Sequence, residues 1–220
     1  GATLAVFKSV QYLRGAAAVI VLAAHSFEYV LQGETPVISL LGRTGVLLFF
    51  VISGFIMVTV TGGSKFDAVA FLRKRAIRVI PLYWIFTIGI AVVSFVAPSL
   101  FEKTQFEFTH VLQSMLFIPH PDPQESASFY PMLKLGWTLN YEMFFYLLFA
   151  ACSFLILRSR ILVISATLVA LYVLGYWLKF DGTVLRFFTS IEPIAFAFGM
   201  WVAWLLRSGW LNSRANLGLG

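Results

Sequence analysis

A chain of 220 residues that is 60% hydrophobic and only 12% charged has too little polar surface for a soluble domain, so it reads as an integral membrane protein. In so apolar a chain the net charge of +6 does not signal nucleic-acid binding; it reports basic loops. The lone cysteine, Cys152, excludes an intrachain disulfide framework and reads as a small packed hydrophobe.

Apolar length predicts an all-α fold, a polytopic transmembrane bundle of about six spans in a single domain over residues 1–220. The first span, roughly Val10–Val30, contains YLRGAAAVIVLAAHSF. Ionisable groups cost at least a few kcal/mol inside a bilayer, so Arg14 and His25 are functional candidates. Their spacing of eleven residues puts them about 20° apart on one helix face and about 16 Å apart along it. Arg14 could equally snorkel to the headgroups, and His25 could bond a neighbouring helix. The second span, Thr44–Thr61, carries Ser53 and Gly54 in GVLLFFVISGF, where small residues favour close helix packing.

The third span, Arg78–Ala97, opens on FLRKRAIRVIPLYW, which sets Arg73, Lys74, Arg75 and Arg78 at its mouth. Arg75 and Arg78 are neighbours on one face. Such a cluster sets topology, binds anionic lipid or clamps phosphates. The stretch from Pro98 to Lys134 is a polar loop that includes VLQSMLFIP, an apolar piece too short to span and so re-entrant or interfacial. His110 and His120 in this loop lack metal-ligand spacing and are read as solvated; no metal motif appears anywhere.

The fourth span, Leu135–Leu157, holds Glu142 about five residues inside Trp137. A carboxylate at that depth wants a partner, and His25 is at similar depth. A His–Glu pair is a general-base unit or, equally, a buried pair joining two helices. The fifth and sixth spans are Ile161–Leu178 and Phe187–Leu206, with Glu192 at the edge of the last. Ser53, Trp137, Tyr141 and Glu192 are candidates for helix packing or for lining a site. With a cytoplasmic N-terminus, the inner segments hold eleven of the sixteen basic residues, Arg158 and Arg160 among them, which favours that orientation.

Four stretches, in this order, resemble membrane-bound acyltransferase family 3: YLRGAAAVIVLAAHSF, GVLLFFVISGFIM, FLRKRAIRVIPLYW and GWTLNYEMFFYLLFA. A weaker match is IEPIAFAFGMWVAW. The resemblance implies an enzyme of the bacterial inner membrane that moves an acyl group, often acetyl, from acyl-coenzyme A to a hydroxyl of an envelope or exopolysaccharide sugar. It implies no bound cofactor; acyl-coenzyme A is a co-substrate. It places Arg14, Arg75 and Arg78 on the donor side and His25 with Glu142, as the catalytic pair, on the acceptor side. Its partners would be the lipid bilayer, a carbohydrate acceptor and proteins of polysaccharide assembly, with no nucleic acid. Family members usually have more spans than the six read here, so the chain is expected to be C-terminally incomplete. The competing functions are a carrier or flippase and a non-catalytic assembly partner in polysaccharide export. Inverted repeats would mark a carrier, and the sequence shows none.

Overall fold

The computed structural model describes residues 12–13, 15–24, 26–27, 35–62, 66–101, 104–124 and 128–209. Arg14 and His25 lie outside the described residues. Regular structure among the described residues is helical. In chain order the helices are α1 (Gly15–Ala24), α2 (Pro36–Thr61), α3 (Ala68–Val96), α4 (Phe108–Met115), α5 (Trp137–Ala151), α6 (Leu157–Leu178), α7 (Thr183–Phe188) and α8 (Ile194–Arg207), with short 3-10 turns at Pro98–Leu100 and Lys134–Gly136. By length and composition α2, α3 and α6 suffice to cross a membrane; α1 and α8 are shorter apolar helices.

The distribution of polarity is that of a lipid-solvated bundle. Ile85, Phe86, Val92, Phe95 and Trp177 are exposed, while Thr87, Ser94, Asn140 and Arg160 are buried. In water this arrangement would expose costly apolar surface; in lipid only the polar groups need cover.

The chain forms two compact units, Gly1–Ser64 with Glu192–Gly220, and Lys65–Ile191. In the first, α1 packs on α2 through small residues. A Cβ on Gly45 would come within 2.6 Å of the Val21 side chain and 3.3 Å of the Ala17 carbonyl, and one on Gly42 would touch Ala24. These contacts make α1 and α2 antiparallel. Helix α8 lies on α2 in the parallel sense. Arg43 donates to Glu192 at 3.0 Å near their starts, Phe50 stacks on Phe196 at 4.5 Å, and Arg207 donates to the Gly62 carbonyl at 2.8 Å at their ends. The backbones meet at Gly54 and Gly199: a side chain on Gly54 would strike the Phe196 carbonyl, and one on Gly199 the Val51 carbonyl. Close approach of this kind drives helix association in lipid, where the hydrophobic effect does not. A Gly199→Leu variant is therefore expected to lose about 3 kcal/mol or more, the upper end of overpacking costs, because backbone rather than side chain must move. Thermal melting in detergent measures this. A variant that melts with the wild type would show that α2 and α8 do not pack through these glycines.

In the second unit α3 and α5 are antiparallel: Phe71 packs on Phe149 at 5.7 Å, and the Tyr83 ring covers Gly136. Helix α4 folds back along α3. The Tyr83 hydroxyl donates to the Ser114 carbonyl at 3.1 Å, the Trp84 indole donates to Met115 at 2.9 Å, and Phe95 meets Phe106. All these senses agree with a six-span order. Spans one and two, and three and four, run oppositely; spans two and six run together.

Each predicted span falls on a helix, but several ends differ. The last span, read from Phe187, begins as α8 only at Ile194, after α7 and a break at 189–193, and α6 begins at Leu157 rather than Ile161. Helix α2 starts at Pro36, because Thr35 caps it and Arg43, read as loop, is neutralised by Glu192. Helix α3 starts at Ala68, where the Asp67 carboxylate accepts from the Val69 and Ala70 amides at 3.0 Å. The arginines predicted at its mouth are thus inside the helix. At 29 residues, about 43 Å long, α3 exceeds a hydrocarbon core of about 30 Å. Helix α5 ends at Ala151, and Arg160 holds the turn that follows it, as described below.

Candidate functional site

Residues four apart on a helix share a face, so Glu142 and Tyr146 of α5 are neighbours, and the Tyr146 hydroxyl donates to Glu142 Oε1. Tyr146 is buried; Glu142 is half-buried. From α3 the guanidinium of Arg75 lies 5.5 Å from the Phe71 ring centre and 5.6 Å from that of Tyr146. Contacts of this type contribute about 0.5–2 kcal/mol, more when desolvated. Arg78, one turn further along, joins Arg75 and Glu142 in the electrostatic field at Tyr146. The pairing of Phe71 with Phe149, Arg75 with Tyr146 and Tyr83 with Gly136 places Glu142 level with Arg78 to within about a turn. Two arginines and one carboxylate therefore gather around one tyrosine on two facing helices. The resemblance had set these groups apart, the arginines on the donor side and Glu142 on the acceptor side.

The aromatic floor of this cluster is Phe66, Phe71, Tyr146 and Phe149, whose rings meet edge to face or tilted at 5.2–5.9 Å. A third guanidinium packs on this floor. Arg160 lies 4.4 Å from the Phe66 ring centre and 5.3 Å from that of Phe149. It donates to the carbonyls of Cys152, Ser153 and Leu155 at 2.9–3.1 Å, in the turn that leaves α5. Positive charge is favourable there, opposite the negative end of the helix dipole. A residue that the sequence counts as a topology signal is therefore a buried helix cap.

The other sequence candidates divide. Tyr141 is buried and stacked on Phe187 at 4.0 Å, and its hydroxyl reaches the Phe187 carbonyl at 3.0 Å and Ser190 Oγ at 2.7 Å, so it anchors α5 to α7. Trp137 packs edge to face on Tyr141. Ser53 is half-buried in α2 beside Gly54. Glu192 pairs with Arg43. Of the five residues expected in the donor and acceptor sets, the structure brings together Arg75, Arg78 and Glu142. Arg14 and His25 are outside the described residues.

His110 and His120, expected to be solvated, are each only 5% exposed and are hydrogen-bonded to one another. Sequence reasoning missed them because their burial comes from α4 folding back on α3. It also missed Tyr146, although the i+4 spacing from Glu142 was a usable signal, and the role of Arg160, for which the sequence carried none. Among the described residues no three His, Cys, Asp or Glu side chains are grouped so as to hold a metal ion.

Residues 7–216 match the acyltransferase domain family known as acyltransferase 3. The chain is 37% identical over 174 residues to the exopolysaccharide production protein ExoZ of Rhizobium meliloti (strain 1021), an alignment covering 79% of this chain and 53% of that protein. The chain thus spans about half the length of this curated relative. No solved structure matches it. The arginines and carboxylate gathered on a helical bundle agree with a match that runs through nearly every residue, and the chain belongs to the acyltransferase 3 family.

Proposed function

We propose that this protein transfers an acyl group, acetyl by preference, from acyl-coenzyme A to a hydroxyl of an exopolysaccharide or other envelope sugar in the bacterial inner membrane. Family membership and the relative named for exopolysaccharide production support the reaction class. The observation that carries the reading is the gathering of Arg75, Arg78 and Glu142 around Tyr146. Charged groups are expensive at membrane depth, so three of them gathered on facing helices support a polar ligand.

In this reading Arg14, Arg75 and Arg78 attract the phosphates of coenzyme A, whose planar guanidinium partners suit them better than ammonium would. The bound donor presents its thioester to His25. His25 takes the proton of the acceptor hydroxyl as that oxygen attacks the thioester carbonyl and the coenzyme thiolate leaves. Glu142 orients the imidazole and stabilises its protonated form. Lipid surrounds the bundle, and proteins of polysaccharide assembly present the acceptor.

Binding of acetyl-coenzyme A to the protein in nanodiscs tests the donor half. A charge-assisted contact contributes roughly 1.5–3 kcal/mol, so Arg75→Ala or Arg78→Ala is expected to weaken binding by about tenfold to a hundredfold. Unchanged affinity in the double variant would reduce the pair to a topology signal. Orientation has its own check. A cysteine at position 125 should react with an impermeant maleimide on intact cells and one at position 65 should not, with Cys152 buried and silent. The opposite pattern would invert the bundle and move the arginines away from the cytoplasmic donor.

A further inference from the structure

Helix α4 turns Phe108 and Leu112 outward and His110 and Ser114 inward. The inward histidine meets a second one. His120 Nε2 lies 2.7 Å from His110 Nδ1, and His120 Nδ1 lies 2.7 Å from the Ile118 carbonyl oxygen. A carbonyl only accepts, so His120 Nδ1 carries a proton. In the neutral pair His120 Nε2 is then bare, and His110 Nδ1 must donate to it. That leaves the lone pair on His110 Nε2. Two buried rings in series therefore fix His110 as a proton acceptor.

The neutral form of His110 is the favoured one. Desolvation first, and then the charge of His120, hold its pKa below the ordinary 6.5, against the pull of Asp122 and Glu107. His110 also lines a cavity of about 10 Å³ together with Thr104, Gln105, Asp122, Gln124 and Lys134. That is room for roughly one water-sized group. Asp122 is buried, and its carboxylate accepts from the Gln124 amide at 2.8 Å, which fixes the turn on one side of the cavity. The polar lining sets the ligand class. Neutral His110 Nε2 only accepts, so the group it takes must donate, as an alcohol does; Lys134 lines the cavity with its ammonium over the Tyr130 ring at 5.4 Å. The Asp122 carboxylate opposes an anion.

We propose that this cavity receives one hydroxyl of the acceptor glycan, hydrogen-bonded to His110 Nε2. The choice of a glycan rests on the acyltransferase reading above. The site is a separate hold on the acceptor. Helix α4 lies beside the Tyr83–Phe95 half of α3, which begins about 12 Å along that helix from Arg75.

The test uses the protein in lipid nanodiscs and cellotetraose as a neutral, hydroxyl-rich probe, with binding followed by saturation-transfer NMR and the rings by 15N-histidine spectra. Saturable binding is expected, weakened at least tenfold in His110→Gln, with a shift of the His110 Nε2 resonance on addition of the sugar. Binding should persist below pH 6.5 and fall as His110 takes a proton, because protonation removes the acceptor. If His110→Gln fails to fold, Lys134→Met on an exposed side chain carries the same expectation, read as a loss of several-fold. A proton found on Nε2 of neutral His110, or no saturable binding, would overturn the site; so would binding indifferent to His110→Gln or, should that variant not fold, to Lys134→Met. Acyl transfer is a separate readout. Transfer without His110-dependent binding sinks this site alone, and His110-dependent binding without any transfer sinks the enzymatic reading alone.

Discussion

Glu142→Gln is expected to lower acyl transfer by roughly 10²–10⁴-fold, the range that general acid–base groups contribute, while the protein stays inserted. Glutamine is nearly isosteric, and its oxygen still accepts from the Tyr146 hydroxyl, so the α5 face keeps its packing. What disappears is a negative charge level with Arg78 and one turn from the ring on which Arg75 lies. In the proposed mechanism the imidazolium formed at His25 as the hydroxyl gives up its proton then loses its counter-ion, and the transition state rises with it. Tyr146→Phe separates charge from hydrogen bond. It keeps the ring beneath Arg75 and removes the hydroxyl, so a loss of about tenfold to a hundredfold is expected, as for other bonds to charged groups. Initial rates of labelled acetyl incorporation into envelope glycan measure both. Should the glutamine variant work at the wild-type rate while Tyr146→Phe does not, the hydroxyl and not the carboxylate is the functional group.

His25→Ala should have the largest effect, loss of transfer by about 10⁴-fold, the upper end for a general base, with acetyl-coenzyme A still bound. Donor affinity is expected to survive because Arg14, Arg75 and Arg78 remain. The two readouts therefore split: the turnover collapses while the donor Kd holds. Partial recovery with added imidazole would identify the missing group as a base, since packing defects are not repaired by a free ring. Near-wild-type transfer in His25→Ala would leave the histidine a packing residue and move the base elsewhere.

The helices were legible in the sequence because lipid imposes a simple demand: long apolar runs that satisfy their own backbone. Their ends were not, and the reason is specific. Charges were taken as loop, yet Arg43 pairs with Glu192 and Arg75 lies over the rings of Phe71 and Tyr146, so α2 and α3 run through them. The caps at Thr35 and Asp67 were the contrary signal. Within the candidate site, the residue types were legible, but their grouping depends on the antiparallel register of α3 on α5, which a single sequence does not state. The histidine pair was invisible for the same reason. His110 and His120 are ten residues apart with no common periodicity, and only the turn after α4, where Phe117 adopts φ 57°, brings them into contact.

The contact of Gly54 with α8 sets a schedule for biosynthesis. Helix α2 ends at Thr61 and its parallel neighbour begins only at Ile194. At about 5–20 residues per second, the 130 or so intervening residues take roughly 7–26 s to emerge. For that interval the α1–α2 hairpin waits in the bilayer with its glycine face uncovered, while the 65–191 unit is made from end to end. The nascent protein is therefore most open to capture by insertion factors, or to proteolysis at α2, in the seconds before α8 arrives.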